Sequence, residues 1–329
     1  MNSSQEFRAM GAACAVSVYA DAAADDLAQI AILRVELLEQ SWSRFRESSE
    51  LNRLNSLAGA GPILVSADLL ALVWHMKRAW ELTEGLFDPT MLSEIKAAGY
   101  DADYATVLAR GALADAATWN QASATSTARS SAMGSVEIDL DASTVTLPIG
   151  VGLDPGAIGK GLAADIVANE ILAAGATGIL VDLGGDIVVA GKPEGSTAWV
   201  LAIEDERDPD NSTRQPQLVS FSSNDSFVDD EGTLQFDTMG IATSSTLFRR
   251  WSGGTRHHVI DPRTGQMADP QLVQATVWCG AGWLAEVSAT AALLMKAPQA
   301  MTWLGQHEVG YTLLTSTDIF TSLVGDEHG

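Results

Sequence analysis

The 329-residue chain has an ordinary globular composition, with 47% apolar and 6% aromatic residues, which is enough for one large domain or two lobes. Its formal net charge of −23 disfavours nucleic acid and anionic membranes as partners, because their phosphates carry charge of the same sign. An anionic ligand can bind only where local cations, backbone N–H groups or a metal overcome this field.

The N-terminal segment has no basic stretch followed by an apolar one, so no signal peptide is predicted. Residues 12–20 alternate small and β-forming residues and predict the first strand. The two cysteines, Cys14 and Cys279, are too few and too far apart for a disulfide framework or a zinc site. Because no apolar run reaches the roughly 18 residues of a membrane span, we expect a cytoplasmic protein.

Two amphipathic helices are predicted next, over residues 25–45 and 66–85, because apolar residues recur there at helical spacing. Ser66 supplies an N-cap to the second helix, and Gly85 supplies a stop. Residues 116–134 are rich in Ala, Ser and Thr and contain one charged residue, Arg129. This composition predicts a mobile connection.

The second half mixes strands and helices without a strict βαβ alternation, which favours an α+β fold. The predicted elements are a hairpin over 135–148, a helix over 159–175, two strands over 177–191 separated by Gly184–Gly185, a strand over 197–205 and a helix over 284–297. Residues 205–232 are polar and acidic and predict a surface loop.

Residues 153–165, LDPGAIGKGLAAD, carry glycines and a lysine at the start of a predicted helix. A P-loop is disfavoured, because Asp154 stands where it needs glycine and Gly161 where it needs a hydroxyl. Residues 159–164 fit the dinucleotide pattern G-x-G-x-x-A, but an Asp–Pro pair separates them from the preceding strand. The stretch still suits a phosphate, since glycines at a helix start expose N–H groups and Lys160 adds positive charge. The alternative is a glycine-rich turn with a capping aspartate.

Residues 257–265, HHVIDPRTG, predict a turn in which Pro262 fixes φ and Gly265 permits positive φ. Cationic or potentially cationic side chains surround this turn and suggest an anion site, with a solvated basic loop as the alternative. They are Arg249, Arg250, Arg256, His257, His258 and Arg263.

Glu286 and Thr290 lie one turn apart on the last predicted helix. On a shared face, a carboxylate and a hydroxyl can offer oxygen ligands to a hard cation. The alternative is a solvated helix face, where this pair is common.

In chain order, these stretches resemble the ApbE-type FAD:protein FMN transferases over nearly the whole sequence. The similar segments are FRAMGAACAVSVY (7–19), SRFRESSELNRLN (43–55), ELTEGLFDPTM (81–91), LDPGAIGKGLAAD (153–165), GILVDLGGDIVVAG (178–191), IATSST (241–246), HHVIDPRTG (257–265) and WLAEVSATAALLM (283–295). The whole series of segments in this order indicates the family more specifically than any single segment does. The resemblance implies a single two-lobed ApbE-like α+β domain over residues 1–329, with mixed or antiparallel sheets flanked by helices.

The resemblance also implies a reaction: Mg²⁺-dependent transfer of FMN from FAD to a Thr or Ser hydroxyl of an acceptor flavoprotein, with release of AMP. It assigns the metal to the main-chain oxygen of Ala157 and to Glu286 and Thr290. Lys160 would face the phosphates, and His258 would be the base, a role that suits a pKa near 7. Contacts to FAD are implied for Met10, Gly11, Phe45, Phe87, Asp88, Pro89, Asp154, Gly156, Lys160, Gly184, Gly185 and Ile260.

The sequence departs from the family pattern at four positions. One is Ala289, which offers no oxygen where some members place a second acidic ligand. Glu286 replaces the usual aspartate, Gly159 the usual alanine, and Ser245 the glycine of T-S-G. These changes leave two alternatives open. One is a metal-dependent FAD pyrophosphatase that releases FMN and AMP, and the other is an FAD-binding protein without catalytic activity.

Overall fold

The structure is a computed structural model that describes residues 1–111, 131–193, 195–196, 198–208, 210, 212–222, 226–229, 232–235, 238–252, 254–307 and 309–322. Most of the connection predicted to be mobile, residues 116–130, lies outside these ranges. Of its last residues, which are described, Met133 begins a 3-10 turn and is fully buried.

Helices and strands alternate irregularly along the chain. The helices are α1 (Ala24–Trp42), α2 (Glu50–Ser56), α3 (Ala67–Leu82), α4 (Leu92–Ala97), α5 (Tyr104–Gly111), α6 (Gly159–Ala173), α7 (Gly282–Leu293) and α8 (Ala297–Gln306). The strands are β1 (Asn2–Ala9), β2 (Ala12–Tyr19), β3 (Ile63–Leu64), β4 (Glu137–Asp139), β5 (Thr144–Thr146), β6 (Gly178–Leu183), β7 (Ile187–Gly191), β8 (Ala198–Ile203), β9 (Gln217–Ser222), β10 (Ser226–Asp229), β11 (Gly232–Gln235), β12 (Thr238–Ser245), β13 (Arg250–Trp251), β14 (Arg256–His257), β15 (Ile260–Asp261), β16 (Gln266–Met267), β17 (Leu272–Cys279), β18 (Gly310–Thr315) and β19 (Ile319–Ser322).

The ends of the helices follow local sequence signals. The Ser66 hydroxyl accepts a hydrogen bond from the Leu69 N–H at the start of α3, and Gly85 adopts a φ of 85° beyond its end. The helix expected over 284–297 begins at Gly282 and ends at Leu293 instead. A separate helix follows, because Pro298 lacks an N–H and is tolerated only in a first helical turn.

The main sheet has eight strands in the order β1-β2-β6-β7-β12-β17-β18-β19. All strand pairs among the described residues are antiparallel, which confirms the α+β class. The strand expected to be first is the second, because residues 2–9 form β1 at the edge of the sheet. The polar sequence of β1, NSSQEFRA, fits an edge position with one exposed side and hides its strand character.

The two faces of the main sheet are covered differently. On one face, helices α1 and α6 bury the side chains of β2, β6 and β7, and α7 packs against β12 and β17. On the opposite face, β8 pairs with β9, and Val219 and Phe221 of β9 are buried there. The surface loop predicted for residues 205–232 is wrong over β10, which is a strand, and over β9, where Val219 and Phe221 are buried. The burial of alternate apolar residues overrides the polar composition around them.

Candidate functional site

A cavity of about 1220 Å³ opens among the loop before α6, the β6–β7 turn and the segment from β12 to β15. Its volume exceeds the roughly 300–1,000 Å³ of common small-ligand pockets, which leaves room for a dinucleotide. Of the predicted site residues, all except Pro89 line this cavity. They are Met10, Gly11, Phe45, Phe87, Asp88, Asp154, Gly156, Ala157, Lys160, Gly184, Gly185, His258, Ile260, Glu286 and Thr290.

Asp154 is fixed by its backbone and by its side chain. Its N–H donates to the carbonyl oxygen of Pro89 at 2.8 Å, and its Oδ1 accepts from the Gly156 N–H at 2.9 Å. Its Oδ2 lies 3.3 Å from Nε of Arg44. Pro89 is buried and holds Asp154 through its carbonyl group rather than facing the cavity.

Arg44 is a cavity residue that the sequence analysis missed. It is buried, and its Nη1 donates to the carbonyl oxygen of Tyr100 at 2.8 Å. The guanidinium carbon lies 4.0 Å from the centroid of the Phe45 ring and 4.6 Å from that of Tyr100. Arginine and two aromatic rings therefore form one wall around Asp154, and no spacing in the sequence announces this group.

Lys160 lies between two carboxylates at the start of α6. Its Nζ contacts Oδ2 of Asp186 and is 3.5 Å from Oε1 of Glu286. Burial lowers the pKa of the Lys160 ammonium, and the charge of Glu286 opposes that shift. Asp186 is 2% exposed and was missed, because its importance depends on a turn that brings it to a residue far away in sequence.

That turn is the Gly184–Gly185 pair between β6 and β7. Both glycines have positive φ, 75° and 91°, as tight antiparallel hairpins require. The N–H of Gly185 donates to Oδ1 of Asp182 at 2.8 Å, and the N–H of Leu183 to the carbonyl oxygen of Asp186 at 2.9 Å. The glycine pair thus places Asp186 against Lys160.

His258 is half-buried in the wall of the cavity, and its Nδ1 is buried and has no hydrogen-bond partner among the described residues. Burial lowers the pKa of His258 to about 3, and the charges of Arg249 and Lys160 lower it further. The ring is therefore neutral at pH 7, although its pKa is far below the value near 7 expected from the sequence. A neutral imidazole can accept a proton.

The low pKa of His258 predicts a pH dependence of folding stability. Because the pKa is about 3 in the folded state and 6.5 for ordinary histidine, only the unfolded chain takes up this proton between those values. The stabilising contribution is therefore present above pH 6.5 and is lost as the pH falls towards 3.

Urea unfolding of the wild type and of His258→Asn measures this effect. We expect the free energy of unfolding of the wild type to fall relative to the variant as the pH decreases from 7 to 4. Other titrating groups are common to both proteins and cancel. A constant difference between the two proteins across this range would contradict the low pKa.

The proposed metal ligands, Ala157, Glu286 and Thr290, are oxygen donors in the lining of the cavity. Oε2 of Glu286 accepts from the Gly161 N–H at 2.8 Å, and the Thr290 hydroxyl is 2.8 Å from that of Ser244. With the carbonyl oxygen of Ala157, this set offers one carboxylate, one hydroxyl and one carbonyl. Among the residues described, no cluster of three or more His, Cys, Asp or Glu suitable for a metal occurs. The set fits Mg²⁺, which commonly takes one or two carboxylates and completes its shell with phosphates and water.

The cationic group around residues 249–263 separates into two parts. Arg249 and Arg250 line the cavity. Arg256 instead donates to the carbonyl oxygen of Ala98, Arg263 pairs with Asp261 at 2.7 Å, and His257 is buried against Ala268. Arg256, Arg263 and His257 therefore do not belong to the predicted anion site, because they lie outside the cavity lining.

Glu206 is a third missed residue of the cavity, after Arg44 and Asp186, and lies on the loop after β8. Burial raises the pKa of its carboxyl group to about 7, and its Oε2 has no hydrogen-bond partner within the described part of the chain. Its N–H donates to Oε1 of Gln274 at 2.9 Å, which anchors the loop to β17. The acidic sequence around it resembles a solvated loop, which explains why it was missed.

None of the helices in the described ranges is long and apolar enough to cross a membrane. The helix-covered antiparallel sheet is similar in fold to two solved ApbE structures. A flavin transferase ApbE from Vibrio cholerae shares 21% identity with a TM-score of 0.72, covering 98% of this chain and 97% of its own. An ApbE protein from Thermotoga maritima shares 20% identity with a TM-score of 0.78, at the same coverage. These similarities establish the common fold.

The chain belongs to the ApbE family, whose model matches residues 10–314. A Treponema pallidum protein named FAD:protein FMN transferase is 29% identical over 298 residues, or 87% of this chain and 76% of that protein. A Vibrio cholerae protein of the same name is 25% identical over 288 residues, or 86% of this chain and 78% of that protein. Family membership and the α+β fold are thus confirmed.

Proposed function

We propose that the protein is an FAD:protein FMN transferase that uses Mg²⁺, joins FMN to a Thr or Ser hydroxyl of an acceptor flavoprotein and releases AMP. The observation that supports this most directly is the convergence of Lys160, His258, Glu286 and Thr290 on one cavity of dinucleotide size. Membership of the ApbE family and the names of the relatives agree with it.

The start of α6 would bind the pyrophosphate of FAD. Gly156, Gly159 and Lys160 line the cavity there, so the positive end of the helix and an ammonium group face the same space. Because the whole chain is strongly acidic and Lys160 is flanked by Asp186 and Glu286, binding of an anion would depend on the N–H groups at the helix start, on Lys160 and on the divalent cation together. Arg249 adds a further cation to the lining of the cavity.

His258 would accept the proton of the acceptor hydroxyl. In the transfer, the hydroxyl oxygen forms a bond to the phosphorus of the FMN half, and the bond from that phosphorus to the bridging oxygen breaks. The bridging oxygen leaves with AMP, and the proton moves to the His258 ring. The ring is free of a proton before the reaction, and the negative charge of bound FAD would raise its pKa from this low value towards the range that suits a base. Lys160 would stabilise the charge that accumulates on the phosphate oxygens.

Ala157, Glu286 and Thr290 would hold Mg²⁺ when it is bound, and the ion would neutralise charge on the two phosphates. The hydrogen bond from the Gly161 N–H fixes one carboxylate oxygen of Glu286 and leaves Oε1 towards Lys160. Ser244 orients the Thr290 hydroxyl in the same way.

The test is incubation with FAD, Mg²⁺ and purified candidate acceptor flavoproteins, followed by mass spectrometry of the acceptor and assay of AMP. We expect an adduct of FMN mass on a Thr or Ser residue. AMP release at the same rate without any acceptor would instead identify an FAD pyrophosphatase. Bound FAD without AMP release would identify a non-catalytic flavin-binding protein.

We expect His258→Ala to slow adduct formation by about 10²–10⁴-fold, because the hydroxyl loses its base. Its dissociation constant for FAD, measured by flavin fluorescence, should change little. His307→Ala is the matched control, since His307 at the end of α8 is outside the cavity lining. Wild-type adduct formation by His258→Ala would show that another group accepts the proton.

A further inference from the structure

Helices α6 and α7 both begin without a side-chain cap of their own. Their N-cap residues are Ile158 and Ala281, neither of which has a side-chain hydrogen-bond acceptor. The first turns of both helices are largely buried, with Gly161 and Gly282 among the buried residues. Buried N–H groups in a first helical turn need other partners, because leaving them unpaired is costly.

Each helix obtains its cap from the other. The Gly282 and Trp283 N–H groups of α7 donate to the two carboxylate oxygens of Asp165 at 2.8 and 2.9 Å. In return, the Gly161 N–H of α6 donates to Oε2 of Glu286 at 2.8 Å. Each carboxylate lies four residues after the glycine of its own helix. The two capping interactions therefore use the same spacing of glycine and carboxylate.

The two glycines allow this exchange because the helix backbones touch. A Cβ on Gly161 would overlap the carbonyl group of Gly282, and one on Gly282 would lie 2.8 Å from the carbonyl oxygen of Gly161. With so little clearance, a rotation or shift of α7 would break the hydrogen bonds to Asp165.

Asp165 and Glu286 differ in how many of their carboxylate oxygens are hydrogen-bonded to the other helix. Both oxygens of Asp165 are occupied by α7, and Asp165 is absent from the lining of the cavity. Glu286 uses Oε2 for α6 and lines the cavity with Oε1 3.5 Å from Nζ of Lys160. Asp165 therefore holds the helix that carries Glu286 and Thr290 without reaching a ligand itself.

We propose that Asp165 is a positioning residue: by holding the start of α7, it sets the direction in which Glu286 and Thr290 face the cavity and thereby fixes the affinity for the divalent cation. This inference rests on the proposed function, which assigns the cation to those two side chains. Removing an outer residue that orients a metal ligand commonly lowers metal affinity about 10–100-fold.

The test compares Asp165→Asn with Ser66→Ala, a matched variant that loses the cap of α3 away from the cavity. For each protein, the dissociation constant of FAD is measured by flavin fluorescence with saturating Mg²⁺ and with EDTA. The ratio of the two constants reports the coupling between metal and FAD. We expect both variants to melt at a lower temperature than the wild type. Only in Asp165→Asn should the ratio of the two dissociation constants fall, by about tenfold or more.

An unchanged ratio in Asp165→Asn, with a melting temperature lowered as in Ser66→Ala, would show a purely structural cap and overturn the inference. If the wild-type ratio is itself one, the proposed metal site fails, and the inference fails with it. Hydrogen exchange of the wild type provides a test without a variant. Added Mg²⁺ and FAD should slow exchange at Gly282 and Trp283 but not at Leu69 of α3, and equal exchange with and without ligands would count against the inference.

Discussion

Replacing Lys160 with methionine is expected to reduce FMN transfer by about 10²–10³-fold, the usual effect of removing one electrostatic stabiliser of a transition state. The ammonium group contacts Asp186 and lies 3.5 Å from Glu286, and it faces the cavity at the start of α6. Its removal deprives the phosphates of a positive charge. It also leaves two buried carboxylates without their cation, so FAD binding should weaken as well.

The measurements are single-turnover transfer rates and FAD dissociation constants, with Lys192→Met as the control. Lys192 is an exposed lysine after β7 and lies outside the cavity lining. The double variant Lys160→Met/Asp186→Asn separates the effect of Lys160 on stability from its effect on the transfer reaction. Neutralising Asp186 should restore stability but not transfer, and recovery of transfer would mean that Lys160 acts only as a structural counter-ion.

Replacing Gly161 with alanine is expected to destabilise the protein by about 3 kcal/mol, the upper part of the range for overpacking a tight interior. The new methyl group would overlap the carbonyl group of Gly282, which belongs to a backbone and cannot rotate away. Separation of α6 from α7 would also weaken the hydrogen bond between Gly161 and Glu286. We therefore expect the coupling between Mg²⁺ and FAD to be lost in this variant.

Gly159→Ala is the matched control, two residues earlier in the same helical turn. A Cβ there would lie 3.3 Å from Cβ of Pro155, a contact that a small shift relieves. Alanine is the better helix former, so stability should stay within about 1 kcal/mol of the wild type. Urea unfolding measures the free energy of unfolding of both variants. Similar losses of stability in the two variants would refute the contact between α6 and α7 as the cause of the destabilisation.

The sequence predicted the elements whose signals are local. Ser66 and Gly85 delimit α3 because capping and a left-handed glycine depend on neighbouring residues alone. The Gly184–Gly185 turn was predicted for the same reason. Strands β1 and β9 were missed because burial decides their structure, and their polar residues mask the alternation.

The candidate site shows the same division. Ordered motifs selected residues that, apart from Pro89, line one cavity, since motifs record which residue types a site uses. They contained no sign of Arg44 beside Asp154 or of Asp186 against Lys160. Those pairs join distant segments, and many pairings of a basic with an acidic residue are compatible with one sequence.

By itself, the sequence determined the α+β class, the resemblance to ApbE proteins and the chemical types of the groups around the ligand. Only the tertiary structure decided which groups pair or form hydrogen bonds with each other. It also decided the pKa of each group. The low pKa of His258 depends on burial near Arg249 and Lys160, and the exchange of caps depends on backbone contact between Gly161 and Gly282. Desolvation and close packing arise from segments far apart in the chain, so local patterns of residues carry no record of them.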